Sequence, residues 1–74
     1  MEDKVLNIIN EILESKDLNK LNSLSEQLSL RDDLGLSSFD LAELTVKLED
    51  EFDIDIFEDG LVNTIGEIYV KLKK

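Results

Sequence analysis

Residues 32–44, DDLGLSSFDLAEL, set a glycine turn, two adjacent serines and the opening of an acidic helix side by side. Gly35 supplies the backbone freedom that a tight turn needs. Ser37 or Ser38 then stands where a helix N-cap belongs, because a serine oxygen accepts a hydrogen bond from one of the first free backbone N–H groups. With Ser37 as the cap, Asp40 lies three residues on, a weaker version of the capping box. Leu41, Leu44, Leu48 and Phe52 then fall in one sector at about 100° per residue, which predicts a helix over residues 38–52.

Working outward, Val5, Ile8, Ile9, Ile12 and Leu13 recur at helical spacing behind Glu2 and Asp3, predicting a first helix over about residues 2–15. Between the two helices Ser, Asn and Asp accumulate. Leu18, Leu21, Leu24, Leu28, Leu30 and Leu34 interrupt that polar text and read as pegs holding a long connection over the core, with a helical turn near LNKLNSL. After the second helix, DIDIFEDGL is too short for another long helix and predicts a loop with one turn near residues 57–61. Thr64 with Glu67 makes a capping box for a last helix lined by Ile65, Ile68, Tyr69 and Leu72. The expected fold is all-α, a small four-helix bundle of three main helices plus one short helix or turn, with the long loop between helices one and two. Residues 1–74 read as a single domain.

Composition removes whole classes of function. The 18 acidic and 8 basic residues give a net charge of −10, which argues against a nucleic-acid ligand. With no histidine and no cysteine, the usual general base and the best nucleophile are missing, so the chain is not expected to be an enzyme. No apolar run is long enough to span a bilayer, and the acidic N-terminus is unlike a signal peptide, so the expected location is cytoplasmic. Asp53, Asp55 and the pair Asp59 and Gly60 suggest a calcium loop, but counting from Asp53, Phe57 and Glu58 stand where its fifth-position oxygen ligand and sixth-position glycine belong, so no metal site is assigned.

The charge is also uneven. Residues 31–60 hold 11 acids against Arg31 and Lys47, a local net charge of −9. Within that segment Phe39, Ala42 and Val46 form a second apolar strip on helix two, opposite the core stripe, ringed by Asp40, Glu43, Glu49, Asp50 and Asp53. An apolar centre with a charged rim is the pattern of a docking face for basic-surfaced proteins. Phe39 folded beneath the loop or against Phe57 is the alternative; the alignment of three apolar residues favours docking. Self-repulsion at this charge favours a monomer.

Taken together, DDLGLSSFDLAELTVKLEDEFDIDI resembles the acyl carrier protein signature, an Asp-Leu-Gly turn leading into Asp-Ser-Leu at the start of an acidic helix that closes in Glu-Glu-Phe. Asp33, Leu34 and Gly35 match the turn, Ser38 the serine, Asp40, Glu43 and Leu44 the helix, and Glu51 and Phe52 its end. The resemblance implies that Ser38 carries a 4′-phosphopantetheine arm, esterified from coenzyme A by a separate phosphopantetheinyl transferase. The arm's thiol would hold acyl groups as thioesters for fatty-acid or related biosynthetic enzymes with basic docking faces. A transferase supplies the base and metal chemistry, which explains a serine pair in a chain without histidine. The acyl chain would slip between helices, with Leu44, Leu48, Ile54, Ile65 and Ile68 as lining candidates and ordinary core packing as the rival role for each. The chain departs from the family at Ser37, where Asp is usual, and at Phe39, where Leu is usual. A specialised carrier for aminoacyl, polyketide or lipid pathways, or an unmodified acidic docking module, are the alternative functions.

Overall fold

The computed structural model describes residues 2–58 and 60–73. Its elements are α1 (Glu2–Ser15), α2 (Ser38–Phe52) and α3 (Ile65–Leu72). In α1 the five periodic apolar residues are all buried. The helix closes in a Schellman motif: the Leu18 N–H donates to the Leu13 carbonyl at 2.9 Å and the Asp17 N–H to the Glu14 carbonyl at 3.0 Å. Asp17 takes the left-handed position at φ 60°, a conformation that a short polar side chain tolerates better than a branched apolar one.

The connection to α2 carries no helix, so the turn expected over residues 18–24 is absent. The reason is competition for backbone groups. Asn10 on α1 donates its Nδ2 to the Leu21 carbonyl at 2.9 Å and accepts from the Leu21 N–H at 2.8 Å, so this stretch satisfies itself against α1 instead of within itself. The leucines divide accordingly. Leu30 and Leu34 are buried and Leu21, Leu24 and Leu28 pack half-buried on the core, whereas Leu18 is exposed and lies outside that cluster.

The far end of the connection ties down α3. An isolated antiparallel bridge joins Ser29 to Thr64, and the carbonyls of Leu28 and Glu26 accept from the N–H groups of Ile65 and Gly66 at 3.1 and 3.0 Å. Two of the four orphan donors of α3 are satisfied in this way. A Cβ at position 66 would stand 3.1 Å from the Glu26 carbonyl oxygen, a tight contact that would push the Glu26 segment back by a few tenths of an ångström. Thr64 Oγ1 caps the helix by accepting from the Glu67 N–H at 3.2 Å.

Between α2 and α3 the described residues make a turn and not a fourth helix. The Phe57 N–H donates to Asp55 Oδ1 at 3.0 Å and the Glu58 N–H to the Asp55 carbonyl at 3.3 Å. Asp59, within the turn expected over residues 57–61, lies outside the described residues. Ile56 and Val62 bury on either side of that turn and join Leu44, Leu48, Ile65 and Ile68 in one core. Among the described residues the protein is therefore all-helical, with three helices and no strand. No helix among them is long and apolar enough to cross a membrane.

Candidate functional site

The two serines have different work. Ser37 is the N-cap of α2, in extended backbone at φ −84° and ψ 174°, and completes a full capping box. Its Oγ accepts from the Asp40 N–H at 3.2 Å and donates to Asp40 Oδ2 at 3.0 Å, while its own N–H donates to the same Oδ2 at 2.9 Å. The Lys16 ammonium, just past the end of α1, also donates to Oδ2 and to the Gly35 carbonyl, the latter at 3.1 Å. Asp40 is 7 % exposed, and its Oδ2 accepts from three donors. Lys16, then the Ser37 N–H, hold its carboxyl below the ordinary aspartate value, with burial opposing them.

Ser38, one residue on, is exposed and takes no part in that network. Its Oγ accepts from Arg31 Nη2 at 2.9 Å, and no acceptor among the described residues takes its proton. Arg31 is brought there by the turn over residues 29–36. In it the Leu36 N–H donates to the Leu30 carbonyl at 3.0 Å and the Ser29 N–H to Asp33 Oδ2 at 2.7 Å. Gly35 sits within it at φ 71° with open space around a would-be Cβ, so the left-handed backbone, and not crowding, calls for glycine. The N–H groups of Ser38 and Phe39, the first of α2, have no acceptor among the described residues. An exposed hydroxyl, free helix N-terminal donors and one guanidinium together suit an anionic phosphodiester on Ser38 Oγ.

Beside Ser38 runs an open, mainly apolar groove of about 220 Å³, walled by Leu41, Ala42, Thr45, Phe57 and Leu61 with Arg31 at its mouth. None of the five lining candidates from the sequence borders it. Leu44, Leu48, Ile65 and Ile68 are fully buried core residues, and Ile54 is half-buried against them.

Along the outer face of α2, Phe39 is 80 % exposed and Val46 59 %, with Ala42, Glu49 and Asp50 exposed between and beside them and Glu43 half-buried. Asp40 alone of the nominated set turns inward. Lys4 and Lys47 pair with Glu51 and Glu11 at 2.7 and 3.2 Å across the α1–α2 flank. Among the described residues Glu43, Glu49 and Asp50 join no ion pair, so the outer face keeps its negative charge. Sequence reasoning nominated neither Arg31 nor Lys16 for this site. The signal for Arg31 was present: it is the chain's one arginine, within its most acidic segment.

No solved structure matches the chain at a significant level. The family model described as phosphopantetheine attachment site matches residues 3–69. That span includes α1 from Asp3 onward, the turn at Arg31, both serines and most of α3. The chain belongs to the phosphopantetheine attachment site family, whose domains are the site of covalent 4′-phosphopantetheine attachment.

Proposed function

We infer that this protein is an acyl carrier protein and that Ser38 is its attachment residue. The observation that carries the assignment is the division of labour between the serines: Ser37 is committed to the cap, donor and acceptor both, while Ser38 offers an exposed hydroxyl with an uncommitted proton. In the transferase reaction Ser38 Oγ bonds the phosphorus of the phosphopantetheine half of coenzyme A. The phosphoanhydride bond breaks, adenosine bisphosphate leaves with the electron pair, and the serine proton passes to a base on the transferase. The bound arm supplies a thiol that carries acyl groups as thioesters. This chain contributes the anion-tolerant helix terminus and delivers the cargo, while partner enzymes do the chemistry.

The outer face of α2, with Phe39, Ala42 and Val46 at its centre and Glu43, Glu49 and Asp50 at its rim, is the docking surface for fatty-acid or related biosynthetic enzymes with basic faces. The protein acts as a cytoplasmic monomer without catalytic residues of its own. Phe39, so exposed beside the attachment point where leucine is usual, favours a specialised pathway as the second reading. Intact mass tests the carrier function: incubation of the apo-protein with coenzyme A and a broad-specificity phosphopantetheinyl transferase should add one phosphopantetheine moiety. An unchanged mass with a range of transferases, the fold being intact, would reduce the protein to an acidic docking module.

A further inference from the structure

Arg31 stands out among the charged residues of the molecule. It is a cation in a segment of net charge −9, yet among the described residues its guanidinium joins no carboxylate. Lys4, Lys16, Lys20 and Lys47 each do. Instead Nη2 points at a neutral hydroxyl, Ser38 Oγ, at 2.9 Å. Neighbouring Asp33 does not compete for it, because its Oδ2 accepts the Ser29 N–H inside the turn. Asp40 does not compete either, being held by Lys16 and Ser37 on the inner side of α2. The residue immediately before Ser38 is the uncharged Ser37, so no carboxylate there draws the guanidinium aside.

We propose that Arg31 is a built-in phosphodiester clamp: its guanidinium grips the free oxygens of the phosphate esterified to Ser38 and fixes the root of the arm at the mouth of the adjoining groove. This deepens the Ser38 assignment and rests on it. A phosphorus bonded to Oγ sets its two free oxygens two bonds from the atom that the guanidinium already touches. The planar fork of arginine matches two such oxygens, a geometry that lysine cannot reproduce. The Ser38 and Phe39 N–H groups and the α2 dipole act on the same anion from the helix side. With its root held from both sides, the arm leaves Ser38 along the groove edged by Leu41 and Phe57. In the unmodified protein the same guanidinium positions the Ser38 oxygen.

The test exploits two counts of one: a single arginine in the chain and a single phosphorus in the loaded protein. Wild type, Arg31→Gln and Arg31→Lys are loaded with coenzyme A and a transferase; intact mass confirms one arm in each, and peptide fragmentation places it on Ser38. The proposal predicts that the lone arginine side-chain N–H resonance shifts on loading of the wild type. It also predicts that the lone phosphorus-31 resonance differs between wild type and Arg31→Gln at low salt, with Arg31→Lys between them and the differences shrinking at high salt. Loading without any shift of the arginine signal, or an identical phosphorus resonance in wild type and Arg31→Gln, overturns the clamp and leaves the Ser38 assignment standing. Failure of the folded wild type to load, or an arm found elsewhere, overturns both.

Discussion

Lys16, just beyond the end of α1, donates its ammonium to the carboxylate of Asp40 in the first turn of α2. The same carboxylate caps its own helix through Ser37. One buried group therefore ties the end of α1 to the start of α2 and marks the residue at which α2 begins, and so the position of Ser38.

Removing that group should cost more than an ordinary cap. Asp40→Ala strips the capping box of one half and leaves the Lys16 ammonium, itself largely covered, without its partner. Losses of about 2–3 kcal/mol are expected, read as a lower urea midpoint at similar slope. A midpoint equal to wild type would mean that the pair carries no weight in the fold.

The acid limb of stability should carry the signature of the same residue. Its folded-state ionisation lies below the ordinary aspartate value. The unfolded chain thus takes up the proton first as pH falls, and the stabilisation is full above the unfolded value of about 4 and lost as pH drops through the folded one. The stability difference between wild type and Asp40→Asn should be constant from neutral pH to about 5 and narrow below 4. Comparing the two isolates Asp40 from the relief of general acidic repulsion, which both share. A difference independent of pH contradicts the assignment.

Tyr69 gives the opposite limb. Burial, then the negative charges of Glu2 and Glu26, raise its ionisation above the usual phenol value. The unfolded chain therefore loses the proton first, and stability falls as pH rises from the unfolded value through the folded one. Because the chain has one tyrosine and no tryptophan, phenolate absorbance reads this residue alone. Its midpoint should lie higher in the native protein than in urea, and coincident midpoints would contradict the burial.

On the outer face of α2 the expected effects separate stability from binding. Phe39→Ala removes a side chain that is 80 % exposed and should change stability by less than about 0.5 kcal/mol. It should weaken a partner enzyme about tenfold. Glu43→Lys and Asp50→Lys should slow association, less so at high salt. Unaltered partner binding in all three at low salt would move docking to another face.

The helices were legible because their signals are local. The spacing of apolar residues in α1 and α2, and the Thr64–Glu67 cap of α3, each act within a few residues; α1 and α2 begin and end where they predict, and α3 begins behind Thr64. In the connection the leucine pegs were legible, but the hydrogen bonds that replace the expected helical turn were not. Leu21 is tied to Asn10, and Glu26 and Leu28 to Gly66 and Ile65, and such long-range bonds leave no periodic trace. At the site, Ser38 stood out because a short motif surrounds it. Asp40 was legible as the capping-box partner of Ser37, but it also read as a rim acid, because the Lys16 that pairs with it lies 24 residues earlier. Arg31 reaches Ser38 only through the fold of the Gly35 turn.

The central claim is that Ser37 holds the helix and Ser38 holds the arm. Intact mass of wild type, Ser37→Ala and Ser38→Ala after treatment with coenzyme A and a transferase tests it most directly. Ser38→Ala should keep wild-type stability and gain nothing, whereas Ser37→Ala should lose about 1 kcal/mol or more of stability and still gain one arm. A folded Ser38→Ala protein that loads would contradict the claim.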